Sequence, residues 1–273
     1  MAYLQDKKRV TTLELQAMKR AGQKIVMLTA YDALFASLVD QAGTDVILVG
    51  DSVAPLLCGE ETTLPATVGQ MIYHGRSVRR GASRALVVVD LPFLSYQVST
   101  EEAVRNAGRV LKKTGAAAVK LEGGRASALT IRALVDSGIP VMGHLGFTPQ
   151  SVNTLGGHRI QGKTDAQADL LVEDAKAIEA AGVFAIVLEL MPAAAAARVT
   201  SEVAVPTIGI GAGPSCDGQV LVLHDMLGLN ESFKPKFLKR YAELGAEVRG
   251  AIERFGSEVR SGTYPDPAHT HGG

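Results

Sequence analysis

The chain carries no net charge: 28 lysines and arginines balance 28 aspartates and glutamates among 273 residues. That balance argues against the broad electrostatic attraction by which proteins hold nucleic acid or anionic membrane surfaces. Cysteine is scarce. Cys58 and Cys216 stand in dissimilar settings with no C-x-x-C pair, so no disulfide framework is expected and a reducing compartment, the cytoplasm, fits. Long apolar runs are missing as well. The longest, Val183 to Ala197, is broken by Glu189 and Pro192 and is too short to span a bilayer. Met1 to Arg9 is polar and charged, without the apolar centre of a signal peptide. The remaining composition is that of a globular enzyme, with 47% hydrophobic residues, ample for a core, and 21% charged.

What the chain does have is a steady alternation of short apolar runs and helix-like segments. Compact aliphatic runs predict strands near 25–29, 45–49, 85–89, 118–121, 141–143, 184–188, 206–209 and 219–223. Helices are expected near 32–42, 67–81, 100–115, 126–137, 165–181 and 193–203, with a last one from Lys234 to Ser261. Thr11-Thr12-Leu13-Glu14 is a capping-box pattern opening a short amphipathic helix to Arg20, placed to close the bottom of a barrel. Thr100 with Glu101 and Glu102 marks a helix start and Gly115 a stop. Eight such alternations predict a single (β/α)8 barrel over residues 1–273, with a frayed tail from 262 to 273 rich in Gly, Pro and His. An open doubly wound sheet fits less well, because the polar strand-end residues are spread around the chain instead of gathering at one switch point.

Those strand-end residues carry the chemistry. Asp51 follows Val46–Gly50, Asp90 follows Ala85–Val89, Glu122 follows Ala118–Leu121, His144 follows Ile139–Gly143, and Glu189 follows Phe184–Leu188. In a parallel barrel this places acids and an imidazole in one mouth, at the C-terminal ends of the strands. Taken alone, Gly50-Asp51-Ser52 reads as a strand-to-loop turn whose aspartate satisfies its own backbone, and Asp90-Leu91-Pro92-Phe93 shares that ambiguity. Together with Glu122 they would repel one another unless a shared cation joined them, and carboxylate ligands select a hard ion such as Mg²⁺. Lys120 and Glu122 lie two apart and so point the same way; they read either as a structural ion pair or as groups for a substrate anion. His144, between Gly143 and Leu145-Gly146, reads as a core histidine or as a group that a ligand approaches closely. His74, near Arg76, Arg79 and Arg80, reads as part of a solvated helix face. His269 and His271 belong to the tail and suggest no native metal site. Gly209-Ile210-Gly211-Ala212-Gly213 is not in the context of a dinucleotide fingerprint and reads as a tight loop against which a ligand can lie. His224-Asp225 stays open between packing and ligand contact.

Several strings in unbroken order resemble the ketopantoate (3-methyl-2-oxobutanoate) hydroxymethyltransferase family: Leu28-Thr29-Ala30-Tyr31-Asp32, Val49-Gly50-Asp51-Ser52, Thr63-Leu64-Pro65, Asp90-Leu91-Pro92-Phe93, Val119-Lys120-Leu121-Glu122-Gly123-Gly124, Gly143-His144-Leu145-Gly146, Thr148-Pro149-Gln150, Gln161-Gly162-Lys163 and Ile208 to Gly213. The resemblance implies a (β/α)8 barrel that moves a hydroxymethyl group from 5,10-methylenetetrahydrofolate to 2-oxoisovalerate through a Mg²⁺-stabilised enolate, giving ketopantoate for pantothenate and coenzyme A. It implies Asp51 and Asp90 as direct Mg²⁺ ligands and Glu122 near the ion through water. It implies Ser52, Asp90, Lys120 and His144 as the groups that hold the 2-oxoacid, and Glu189 as the acid beside the new hydroxymethyl group. It also implies a large homo-oligomer, commonly a decamer. Two departures border the pocket: Val53-Ala54-Pro55 where a glycine is expected near position 54, and His158 where a tyrosine is usual. Lyases and mutases of the isocitrate-lyase-like barrels also use Mg²⁺ and a 2-oxoacid enolate, but their Lys-Lys-Cys-Gly-His string is absent here. A barrel that binds a metabolite without catalysis is disfavoured by the intact set of acids and lysine.

Overall fold

Apolar residues at every second position of successive strands turn toward a common axis, and that periodicity closes the fold. In the computed structural model, which describes residues 9–271, eight parallel strands form a closed barrel in sequence order, the first hydrogen-bonded to the last. They are β1 (Ile25–Thr29), β2 (Val46–Val49), β3 (Leu86–Asp90), β4 (Ala118–Lys120), β5 (Val141–Gly146), β6 (Ala185–Glu189), β7 (Thr207–Ile210) and β8 (Gly218–Leu221). The interior is one cluster in which Ile25, Met27, Val46, Leu48, Leu86, Val88, Ala118, Met142, Ala185, Val187, Ile208 and Val220 meet. Leu15, fully buried, joins it from α1 (Thr12–Arg20). The helix begins where Thr11 accepts a hydrogen bond from the Glu14 amide (3.2 Å) and plugs the N-terminal end of the barrel, as the capping pattern predicts.

The outer layer consists of α2 (Ala33–Gln41), α3 (Val53–Leu57), α4 (Val68–Gly81), α5 (Thr100–Thr114), α6 (Ala128–Asp136), α7 (Val152–Leu155), α8 (Asp165–Ala181) and α9 (Ala193–Glu202). Complete capping boxes start α4 (Thr67 with Gln70) and α8 (Thr164 with Gln167). The cap of α5 is Ser99, one residue before the expected start, and Gly115 ends that helix at φ 74. The short helices α3 and α7 have no counterpart among the sequence-based expectations; each is a single turn or so, too brief to show a period.

The chain divides into two compact units, the first reaching Val222 and holding the whole barrel, the second starting at Leu223. The second contains α10 (Leu223–Met226) and α11 (Leu244–Ser261). The helix expected from Lys234 therefore starts ten residues later. Arg240 explains the delay: its guanidinium donates to the carbonyls of Asn230 and Glu231 (both 3.0 Å) and Phe233 (3.3 Å), while the Tyr241 amide bonds Met226 O (2.9 Å). These long-range bonds hold the segment in an irregular path against its local helical pattern. β8 likewise ends at Leu221, and Leu223 already opens α10. No helix among the described residues is long and apolar enough to cross a membrane.

Candidate active site

The period-2 series that builds the core continues upward into polar residues. Leu86 and Val88 are followed on the same face by Asp90, Ala118 by Lys120 and then Glu122, Met142 by His144, and Ala185 and Val187 by Glu189. The top layer of the barrel interior is therefore charged, and all but Glu189 are buried: Asp51, Asp90, Lys120, Glu122 and His144 are each at most 5% exposed. β5 runs to Gly146, so His144 sits within the strand, not after its end. Asp51 breaks the series. The inward position of β2 after Leu48 is Gly50, where a side chain would collide with Ser52 Oγ at 2.7 Å. The glycine leaves that space open, and Asp51 enters from the turn, its amide donating to Asp90 Oδ2 (3.0 Å).

From there the contacts run round the mouth. Lys120 Nζ stands 2.9 Å from Asp90 Oδ1 and 3.2 Å from His144 Nδ1. His144 Nε2 lies 3.2 Å from Glu189 Oε2, and its Nδ1 lies 3.5 Å from Glu122 Oε1, an ion-pair distance without hydrogen-bond geometry. Tyr31, itself buried, shares a 2.8 Å hydrogen bond with Ser52 Oγ. The residues expected at the mouth are thus brought together. Within the second unit, Asn230 Nδ2 donates to Asp225 Oδ1 (3.1 Å), and His269 Nδ1 lies 2.6 Å from Asp266 Oδ1. His74 is not on a solvated face. It is half-buried, with Nδ1 2.8 Å from Tyr31 O and its ring edge-on to Tyr31 and Tyr73. His158 retains aromatic contact where a tyrosine was expected, lying 4.9 Å from the Phe147 ring. Val53 and Ala54 are buried within α3.

Burial and crowding of acids set the electrostatics. Burial, then the charges of Asp90 and Glu122, push the Asp51 carboxyl up to about 8, against the opposing pull of Lys120 and Gln150. Burial also raises Asp90, although Lys120 offsets part of the rise. Burial and the charge of Lys120 would lower His144, but the carboxylates of Glu122 and Glu189 beside its ring prevail and raise it to about 9. Lys120 is held charged: burial opposes its charge, but Asp90, Glu122 and Asp51 outweigh that cost.

This donor set fits a hard divalent cation. It offers the oxygens of three buried acids, two of which lack a hydrogen bond: Asp90 Oδ1, ion-paired with Lys120, and Glu122 Oε1. Among the described residues no three or more acid, imidazole or thiol groups are placed to hold a metal ion by themselves. Mg²⁺ needs none, since it keeps several waters and takes one or two protein carboxylates.

Two residues escaped the sequence reading. Gln150 and Tyr96, both buried, bridge the acids: Gln150 Nε2 donates to Asp51 Oδ2 (2.8 Å), the Gln150 amide donates to Glu122 Oε2 (3.0 Å), and Tyr96 Oη donates to Gln150 Oε1 (2.9 Å). Gln150 lies in a single 3-10 turn, Pro149–Ser151, and Tyr96 in a loop, both too short to show a period. The only signal was that Gln150 ends one of the strings shared with the resembled family.

Residues 9–267 match the family model described as ketopantoate hydroxymethyltransferase. A 3-methyl-2-oxobutanoate hydroxymethyltransferase of Syntrophus aciditrophicus (strain SB) is 56% identical, covering 96% of this chain and 97% of that protein. Another, from Moorella thermoacetica, is 54% identical over 97% of this chain and 98% of its own length. Among solved structures, 2,3-dimethylmalate lyase, a PEP mutase/isocitrate lyase superfamily member, is similar with a TM-score of 0.60 at 18% identity, covering 95% of this chain and 91% of that one. Phosphonopyruvate hydrolase in complex with oxalate and Mg²⁺ gives a TM-score of 0.63 at 14% identity, covering 94% and 92%. At such identities these two likenesses concern the fold alone.

Proposed function

The chain belongs to the ketopantoate hydroxymethyltransferase family, and from that premise we propose that its barrel mouth transfers a hydroxymethyl group from 5,10-methylenetetrahydrofolate to 2-oxoisovalerate through a substrate enolate. Asp51 and Asp90, with Glu122 beside them, would hold one Mg²⁺ per subunit. When bound, that ion supplies Lewis acidity toward the 2-oxoacid. Phosphonopyruvate hydrolase, a fold neighbour solved with oxalate and Mg²⁺, binds such a pair, which supports the choice of ion. The observation that carries the reading is the excess of buried acids over cations in the top layer, expressed in the raised Asp51 carboxyl.

Each side chain has a part. Lys120, fixed by Asp90 at 2.9 Å, brings a permanent positive charge to the developing enolate oxygen. Ser52, oriented by Tyr31, donates a hydrogen bond to the anionic substrate, and His144, set between Lys120 and Glu189, lines the place where it sits. Glu189 is the most exposed acid of the mouth, its side chain 18% accessible, and is tethered to His144. It handles the proton of the new hydroxymethyl group. A base takes the C3 proton to give the enolate, which attacks the methylene carbon of the folate iminium; the C–N bond of that adduct then breaks, tetrahydrofolate leaves with a proton on its nitrogen, and one water supplies the hydroxyl of ketopantoate.

The test is turnover of 2-oxoisovalerate with and without 5,10-methylenetetrahydrofolate, Mg²⁺ added or chelated. Ketopantoate formed only with both present supports the reading. Cleavage or rearrangement of a 2-oxoacid without folate would replace it with a lyase or mutase.

A further inference from the structure

The carboxamide of Gln150 has all its hydrogen-bonding capacity in use. Nε2 donates to Asp51 Oδ2 (2.8 Å) and to Leu91 O (2.9 Å), while Oε1 accepts from Tyr96 Oη (2.9 Å) and Gln97 Nε2 (3.2 Å). Its orientation is forced, because Leu91 O and a carboxylate can only accept. The same residue's backbone amide donates to Glu122 Oε2 (3.0 Å). Tyr96 locks the far side: its hydroxyl also accepts from the Glu122 amide (3.1 Å). One loop residue after β5 thus grips acids that follow two other strands, β2 and β4. It occupies one oxygen of each, Asp51 Oδ2 and Glu122 Oε2.

We propose that Gln150 is a positioning residue that sets Asp51 and Glu122 for a divalent cation, with Tyr96 holding Gln150 in register. The proposal rests on the Mg²⁺ part of the function proposed above. A neutral donor is the only side chain of this shape that suits the place. A glutamate would add a further negative charge among three buried acids, and an apolar chain would leave Asp51 Oδ2 without its partner and free to turn. Loss of such outer partners of metal ligands weakens metal affinity roughly 10- to 100-fold. The substrate groups Lys120, His144 and Glu189 lie outside the Gln150 contacts, so chemistry at saturating metal should persist.

The experiment measures Mn²⁺ binding to the intact, substrate-free protein by calorimetry, for the wild type, Gln150→Met and Tyr96→Phe. We expect Mn²⁺ dissociation constants raised about 10-fold or more by Gln150→Met and a few-fold by Tyr96→Phe, with kcat restored to within a few-fold by excess metal. If Gln150→Met lowers thermal stability but binds Mn²⁺ like the wild type, the residue is merely structural and the proposal falls while the Mg²⁺ reading stands. If Gln150→Met does not fold, Tyr96→Phe decides, and unchanged Mn²⁺ affinity in that variant overturns the proposal. If the wild type itself binds no Mn²⁺ and Asp51→Asn changes nothing, the metal reading falls together with it.

Discussion

The compression of acids at the mouth makes the metal-free protein's stability depend on pH through Asp51, and Asp51→Asn should remove that dependence. An aspartate titrates near 4 in the unfolded chain, whereas burial and the charges of Asp90 and Glu122 lift Asp51 to about 8 in the fold. Below about pH 4 both states hold the proton and the group gives no slope. Between about 4 and 8 the folded state keeps a proton that the unfolded state has lost, so stability declines as pH rises. Above about 8 the slope ends. The full slope is about 1.4 kcal/mol per pH unit, so the decline is on the order of 5 kcal/mol across the window. Asn keeps an acceptor for Gln150 Nε2 and cannot ionise. The free energy of unfolding, from urea titrations in EDTA at several pH values, should make the variant equal to the wild type near pH 4 and several kcal/mol more stable near pH 8. The acids of the mouth are coupled, so the difference reports Asp51 together with its effect on its neighbours. Added Mg²⁺ should stabilise the wild type at pH 8 and leave the variant unmoved. A wild-type-minus-variant difference that stays flat from pH 4 to 8 would refute the account of crowded acids.

Asp90→Asn should keep the fold but lose metal binding, with activity down about 100-fold or more; near-wild-type turnover at low Mg²⁺ would end the assignment of Asp90 as a ligand. Asp40, at the end of α2, accepts hydrogen bonds from the amides of Ser83 and Arg84 (3.0 Å each) and Ala85 (2.6 Å) and from Ser83 Oγ (2.8 Å), clamping the entry to β3. Burial opposes its charge, but those donors prevail and hold its carboxyl below the usual range. Asp40→Ala should therefore cost about 3 kcal/mol at pH 7. That loss should shrink as acid protonates the wild-type group, because a depressed acid contributes above its unfolded pKa and stops contributing as pH falls through the folded one; urea midpoints at pH 7 and pH 3 measure both. The family resemblance also implies a homo-oligomer well above a dimer, for which sedimentation at micromolar concentration is the check and a monomer the contrary result.

How much of this was legible depended on periodicity. Leu86-Val87-Val88-Val89-Asp90 and Ala118-Val119-Lys120-Leu121-Glu122 state both the strand and the side on which its last polar residue falls, so the barrel and most of its charged top layer follow from alternation alone. Asp51 is visible as a strand-end acid, but the bond from its backbone amide to Asp90, 39 residues along the chain, is a three-dimensional fact. Gln150 and Tyr96 come from a short turn and a loop whose contacts span 99 and 26 residues along the chain, to Asp51 and Glu122. No local pattern encodes such meetings. The late start of α11 has the same origin, since the carbonyls gripped by Arg240 override the local helical pattern of residues 234–243.

The central claim is that the charges of this mouth stabilise a substrate enolate before the one-carbon unit arrives, and deuterium exchange tests it most directly. In D2O with Mg²⁺ and no folate, 2-oxoisovalerate followed by proton NMR should lose its C3 hydrogen signal in the presence of the wild-type enzyme. Asp51→Asn should abolish the exchange, and Glu189→Gln should retain it while losing ketopantoate formation. If the intact enzyme makes ketopantoate yet exchanges no C3 hydrogen at any Mg²⁺ concentration, deprotonation waits for the folate and the account is contradicted.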